Sequence, residues 1–66
     1  MKSAWYTSRN TVGGESLFIA MRDKDINQIR HSGNVETYGN YETDRAKVEA
    51  IVRKLNSGEI IPEGEE

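Results

Sequence analysis

The feature that most constrains this chain is one amphipathic segment near its C-terminal end, Thr43–Gly58 (TDRAKVEAIVRKLNSG). Its apolar residues recur at the three- and four-residue spacing that lines them along one side of an α-helix. They are Val48, Ile51, Val52 and Leu55. Thr43 or Asp44 can cap the first turn, and Gly58 suits the left-handed residue that ends many helices. A helix with one apolar stripe must pack that stripe against another element, and the residues before it are expected to form that element.

The composition is typical of one small domain. The chain has 66 residues, of which 35% are hydrophobic and 30% charged, a balance that favours a folded domain over a disordered segment. Few large apolar side chains are available for a core, so we expect marginal stability or association with a second copy of the chain. We predict a single domain over residues 1–58, followed by an acidic, flexible tail at residues 59–66.

The absence of cysteine excludes disulfides, thiolate metal ligands and cysteine nucleophiles, and it favours a reducing compartment. No apolar run approaches the roughly 20 residues that span a bilayer. The first ten residues lack the apolar core of a signal peptide. We therefore expect a cytoplasmic protein with no membrane partner. The net charge of −2 argues against a general nucleic-acid binder, although local basic clusters can override the total.

Two strands are predicted in the first third of the chain. Ser3–Arg9 is rich in aromatic and hydroxyl residues, and Ser16–Arg22 is the most apolar run of the sequence. The six residues between them, Asn10–Glu15, contain paired glycines that allow positive φ at little cost. This pattern predicts a hairpin with a six-residue connection.

A third strand is predicted at Val35–Tyr41, where apolar and polar residues alternate. Gly39 indicates a bulge or a close approach of two backbones within it. Asp23–Gly33, between the second and third strands, is expected to be irregular. The predicted fold class is α+β, a three-stranded antiparallel sheet (β-β-β-α) with one C-terminal helix packed on one face.

Alternation along the strands assigns their residues to two faces of the sheet. We predict that the aliphatic set faces the helix: Leu17, Ile19, Met21, Val35, Thr37 and Tyr41. Trp5 is expected to face the helix as well, because a small core gains most from its largest side chain. This orientation turns Tyr6 toward the helix-free face.

The helix-free face is the predicted binding face, since it would carry aromatic and basic side chains. The candidate residues are Tyr6, Arg9, Phe18, Arg22, Arg30 and Tyr38. Exposed rings offer hydrophobic or stacking contacts, and arginine binds carboxylate or phosphate. Three interpretations stay open: ring pairs that only stabilise the sheet, a protein partner or second copy bound here, and a nucleic acid. For the nucleic acid, the three arginines would contact phosphates and the rings would stack on bases.

No group of residues indicates catalysis, a metal or a cofactor. His31 is the one histidine, and no set of histidines and carboxylates has the spacing of metal ligands. The Gly13-Gly14 pair is not followed by the residues of a phosphate-binding loop. We therefore predict a non-enzymatic binding or accessory module that acts through protein contacts on its open sheet face or edge. Nucleic-acid binding through the aromatic and arginine face is the alternative.

The segment Tyr38–Leu55 (YGNYETDRAKVEAIVRKL) resembles the β-turn-α ending of the arm-type DNA-binding domain of phage-type tyrosine recombinases. In that family three antiparallel strands precede one C-terminal helix, and the sheet face opposite the helix binds in the DNA major groove. The resemblance implies the same order of elements here, with the predicted binding face as the corresponding surface. The chain differs in charge, because that family is basic.

Sporulation-related peptidoglycan-binding repeats share a similar pattern of glycine, aromatic residue, turn and helix. Those repeats have a helix after their first strand, for which Asn10–Glu15 leaves no room. A protein of this build is similar to small accessory proteins of bacteria, phages or mobile elements.

Overall fold

The computed structural model describes residues 1–29 and 31–62. These residues form three strands and one α-helix: β1 (Tyr6–Val12), β2 (Glu15–Asp23), β3 (Val35–Glu42) and α1 (Arg45–Ser57). The strands make one antiparallel sheet in the order β1-β2-β3. The predicted α+β class and the β-β-β-α order of elements are confirmed.

The hairpin between β1 and β2 closes through a two-residue turn, Gly13 and Gly14, which is tighter than the predicted six-residue connection. Both glycines have positive φ, 59° and 84°. A type I′ turn requires positive φ at both central positions, and its twist matches that of the two strands. The pairing extends without interruption from this turn, so β1 lies three residues later in the chain than the predicted strand Ser3–Arg9.

The pairing of β2 with β3 is interrupted by a bulge. Phe18 lies opposite Glu42 and Ala20 opposite Tyr38, so three residues of β3 face the single residue between Phe18 and Ala20. Gly39, inside this stretch, has a φ of 79° that strains residues with a side chain. The bulge predicted at this glycine is confirmed.

The helix α1 has the predicted caps. The Asp44 carboxylate accepts hydrogen bonds from the backbone N–H groups of Ala46 and Lys47 at 3.0 and 3.4 Å. Gly58 ends the helix in the left-handed conformation, with a φ of 87°. Val48, on the apolar stripe, is only 1% exposed, which shows that the stripe is packed against the sheet.

The helix packs on the face of the sheet opposite to the predicted one. Trp5, Ala20 and Leu55 form the centre of the core. Partly buried side chains surround this centre: Tyr38, Ile51, Val52 and Ile60. Ala20, the smallest side chain available on β2, lies under the helix, while the rings of Trp5 and Tyr38 meet edge to face at 6.5 Å. The prediction that the aliphatic residues of β2 face the helix is wrong.

The tight turn explains this inversion. Directly opposed residues share a face, and the register places Thr7 opposite Ala20. Trp5 precedes Thr7 by two residues and therefore lies on the same face. Once Trp5 points toward the helix, as predicted and confirmed, Ala20 must point there too. The residues of β2 on the helix-free face are consequently Leu17, Ile19 and Met21.

The aliphatic set of β3 follows the same inversion. Val35 lies opposite Asp23, and Thr37 opposite Met21, which places both on the helix-free face rather than against the helix. Tyr41 falls within the bulge and is 48% exposed, so it is not part of the core.

A pair of hydrogen bonds between the backbone of Trp5 and the side chain of Asn56 holds the two ends of the fold together. The Trp5 N–H donates to Asn56 Oδ1 at 2.8 Å, and Asn56 Nδ2 donates to the Trp5 carbonyl at 3.0 Å. The backbone of Trp5 is thereby bonded to the helix, and β1 begins at the next residue.

The core continues past the predicted end of the domain at Gly58. Ile60 donates its N–H to the Lys54 carbonyl at 3.2 Å and packs against the central cluster. Ile61 is 59% exposed. The rest of the predicted tail, residues 63–66, lies outside the described residues.

Candidate binding site

The six residues of the predicted binding face do not form one surface. Four of them lie on the helix side of the sheet: Arg9, Phe18, Arg22 and Tyr38. Tyr6 lies opposite Met21 on the helix-free face, as predicted. Arg30 lies outside the described residues. The expectation of exposed rings is wrong for Phe18, which is 9% exposed, and for Tyr38, because the register turns both toward α1.

Arg22 belongs to a buried charge network. Its guanidinium lies over the Trp5 ring, 4.4 Å from the centroid, and pairs with the Glu36 carboxylate. Lys2 Nζ approaches the same carboxylate at 3.1 Å. Burial acts to raise the pKa of Glu36, but the hydrogen bonds from Arg22 and Lys2 outweigh it and hold the pKa below its ordinary value. Arg22 therefore stabilises the core. This role corrects the assignment of Arg22 to an exposed phosphate-binding face.

The helix-free face carries an apolar row along its middle strand. Ile19 is 4% exposed, while Leu17 and Met21 on either side are half-buried. Val12 and Val35 flank the row from the outer strands, and the hydroxyl of Tyr6 donates to Asp23 Oδ1 at 3.0 Å. Among residues 1–29 and 31–62, no helix or second sheet covers this face, because α1 packs on the other one.

A second apolar feature lies in the connection between β2 and β3. Ile26 and Ile29 are 51% and 86% exposed there. The Ile26 N–H donates to the Met1 carbonyl at 2.9 Å, which brings a third exposed apolar side chain beside them. Buried Asn34 holds this loop by bonding both the N–H and the carbonyl of Asp25. The sequence signal for this exposed apolar feature is a pair of isoleucines, Ile26 and Ile29, in an otherwise polar turn.

A small open pocket lies on the helix side, beside the first turn of α1. Its volume is about 170 Å³, and it is lined by Thr7, Arg9, Phe18 and Arg45. Arg45 Cζ lies 5.8 Å from the centroid of the Phe18 ring. The pocket thus combines two guanidinium groups, a hydroxyl and an aromatic wall. The sequence prediction grouped Arg9 with Phe18, but on the helix-free face, and it did not include Arg45, which α1 brings to them.

The described part of the chain lacks the residue clusters of a metal site. No group of three or more histidine, cysteine, aspartate or glutamate residues is placed there to hold a metal ion. His31 is exposed, and its Nδ1 accepts a hydrogen bond from the Gly33 N–H at 3.1 Å, which caps a short 3-10 turn. The described residues also contain no helix of sufficient length and apolarity to cross a membrane.

Known proteins give no parallel for this arrangement: no protein family, curated protein or solved structure matches the chain. The functional argument therefore depends on two surfaces of the chain, the helix-free face of the sheet and the pocket beside α1.

Proposed function

We propose that this protein is a non-enzymatic binding module that associates with protein through the helix-free face of its sheet, and that its first partner is a second copy of the same chain. The observation that carries the proposal is the apolar row Leu17, Ile19 and Met21 on a face that no helix or second sheet of the described residues covers. Half-buried Leu17 and Met21 supply its accessible apolar surface, because Ile19 is only 4% exposed. Contiguous apolar surface of this kind is typical of sites that contact protein.

The shape of the molecule supports a second copy as the partner. The protein is a slab with principal dimensions of 34 × 28 × 15 Å. A broad face of these dimensions is of the same order as the roughly 800 Å² that each partner buries in a stable complex. Two slabs stacked through their helix-free faces would cover the side of each sheet on which α1 does not pack.

The distribution of charge favours protein over nucleic acid on this face. The strands contain two basic residues, Arg9 and Arg22, and both lie on the helix side. Binding of a polyanion depends on lysine and arginine contacts to phosphates. The strand positions of this face carry an apolar row between the acidic residues Glu15 and Asp23, an arrangement that suits the apolar centre and polar rim of a protein interface and opposes a polyanion.

The proposal includes the cytoplasm as the site of action. Its support is the absence of cysteine, since small domains outside the cell commonly depend on disulfides. The proposal includes no catalytic step. The ion pair of Arg22 with Glu36 is accounted for by its contribution to the stability of the fold.

Sedimentation measurements over a range from micromolar to millimolar protein test the association. We expect the wild-type mass to rise toward that of a dimer with concentration. Leu17→Lys places a charge at one end of the apolar row and is expected to keep the protein monomeric. Ile61→Lys makes the same change of character at a position that is 59% exposed and outside the sheet, and it is expected to leave the mass unchanged.

Circular dichroism establishes that both variants retain the fold. A wild-type mass that stays monomeric throughout the range would contradict the proposal, as would equal effects of the two variants. The nucleic-acid alternative is tested by titrating labelled duplex and single-stranded DNA at low and moderate salt. Binding that weakens with salt, by a protein that stays monomeric, would favour that alternative over self-association.

A further inference from the structure

We infer that the pocket beside the first turn of α1 binds the oxyanion group, phosphate or carboxylate, of a small molecule. The site lies on the helix side of the sheet, so this inference is independent of association through the helix-free face.

The fold brings the pocket residues together from three elements. The hairpin register sets Arg9 opposite Phe18, with Thr7 two residues before Arg9 on the same face. Arg45 is the first residue of α1, and its guanidinium reaches over the Phe18 ring at 5.8 Å. Two guanidinium groups therefore border one pocket, although 36 residues separate them in the sequence.

Among the described residues, Arg9 and Thr7 leave their side-chain hydrogen-bonding capacity unused, and Arg45 has an exposed ion pair. Arg9 forms no hydrogen bond or ion pair with any described residue, and the Thr7 hydroxyl donates to none. Arg45 Nε lies 3.3 Å from Glu49 Oε2 without forming a hydrogen bond among the described residues. Guanidinium groups bind carboxylate and phosphate through paired N–H donors, which makes an oxyanion the matching ligand.

The neighbouring carboxylates already have partners. Asp44 accepts hydrogen bonds from the first turn of α1, and Glu42 Oε1 lies 3.4 Å from Lys47 Nζ. Glu49 faces Arg45. Arg9 is thus the cation of this region that no described carboxylate compensates, and Glu49 is the resident competitor for Arg45.

The size of the pocket limits the ligand to a small anion. A cavity of about 150 Å³ accepts a benzene-sized molecule, and this pocket measures about 170 Å³. Phe18 is 9% exposed, so it supplies an apolar wall but too little ring surface to stack a base. A phosphate or carboxylate on a small apolar body matches these dimensions.

Two-dimensional amide NMR titrations with phenyl phosphate and benzoate test the site, with benzyl alcohol as the uncharged ring. We expect saturable shifts around Thr7, Arg9 and Arg45 with at least one of the anions, and none with the alcohol. Arg9→Ala and Arg45→Ala should each weaken binding roughly tenfold or more, the loss expected for a charge-assisted hydrogen bond. Arg9→Lys keeps the charge without the planar fork and should fall between the wild type and Arg9→Ala.

Two control variants separate a built site from diffuse charge. Arg53→Ala removes the same charge from α1 about 12 Å along the helix axis from Arg45 and should leave the affinity unchanged. Glu49→Gln removes the competing carboxylate and should strengthen binding. Absence of saturable shifts with both anions, equal losses in Arg53→Ala and Arg9→Ala, or equal binding of benzyl alcohol would overturn the inference. A single-stranded oligonucleotide that binds these residues more tightly than both anions would overturn the assignment to a small molecule.

Discussion

At the scale of single residues, a small core tolerates the charge of Arg22 because this side chain contacts Trp5 and Glu36. Arg22 is 8% exposed, and burial of an unpaired guanidinium would be strongly unfavourable. The ring of Trp5 and the carboxylate of Glu36 lie on the same face and compensate it. Glu36 therefore stabilises the core mainly by keeping a buried cation paired.

Glu36→Gln is expected to lower the free energy of unfolding at pH 7 by roughly 1.5–3 kcal/mol, the contribution of a hydrogen bond to a charged group. The folded-state pKa of Glu36 lies below its ordinary value of 4.5. A depressed carboxyl pKa stabilises the fold above about pH 4.5, and this contribution disappears as the pH falls through the lower, folded-state value. Urea unfolding of both proteins across this range should show the difference shrinking toward acid.

Glu49→Gln is the matched control for this experiment. The Glu49 pair with Arg45 is exposed and joins residues four apart on the helix, so its loss should change stability by only about 0.2–0.5 kcal/mol. Equal destabilisation by the two substitutions, or a Glu36 effect that does not shrink as the pH falls below 4.5, would contradict the role assigned to the pair of Arg22 and Glu36.

At the scale of elements, the position of α1 depends on the small side chain beneath it. Ala20 is 1% exposed and lies in the central cluster with Trp5 and Leu55. A larger side chain at this position has no free volume and must displace either the helix or the sheet. The close contact of α1 with the sheet therefore depends on an alanine at position 20.

Ala20→Leu is expected to destabilise the fold by about 1–3 kcal/mol through overpacking. Ser16→Leu adds the same side chain to the same face of β2 at an exposed position and should change stability by no more than about 0.5 kcal/mol. Thermal and urea unfolding provide the comparison. A neutral Ala20→Leu would indicate that the helix does not cover this residue.

The elements themselves could be predicted from the sequence, whereas the faces they present could not. The helix stripe, the caps at Asp44 and Gly58 and the bulge at Gly39 are local signals, and the structure has all of them. The orientation of Trp5 was also correct. Which residues of β2 face the helix depends on the hairpin register. A six-residue connection leaves that register undetermined. A two-residue Gly13-Gly14 turn fixes it and carries Ala20 to the side of Trp5.

At the scale of the whole molecule, the same register error exchanged the two candidate surfaces. The rings of Phe18 and Tyr38, expected on the helix-free face, lie on the helix side, and the aliphatic row expected against the helix lies on the helix-free face. The pocket beside α1 could not be inferred because it joins Arg9 to Arg45 across the sheet–helix contact. Arg45, the second arginine of the pocket, is identified only once the position of α1 on the sheet is known.

The two surfaces lie on opposite sides of the sheet, so the two proposals can be tested separately. Substitutions on the helix-free face, such as Leu17→Lys, should alter association without changing anion binding. Substitutions of Arg9 should do the reverse, since Arg9 lies on the opposite side of the sheet. Measurement of both properties in both variants distinguishes a failure of one proposal from a failure of the other.

The most direct test of the central claim, that the row Leu17, Ile19 and Met21 is the contact surface, is an isotope-filtered NOE experiment on an equimolar mixture of labelled and unlabelled chains. We expect intermolecular NOEs from the methyl groups of Leu17 and Met21, and only intramolecular NOEs between Leu55 and Ala20. Intermolecular NOEs from Leu55, or none from Leu17 and Met21 at millimolar concentration, would contradict the claim.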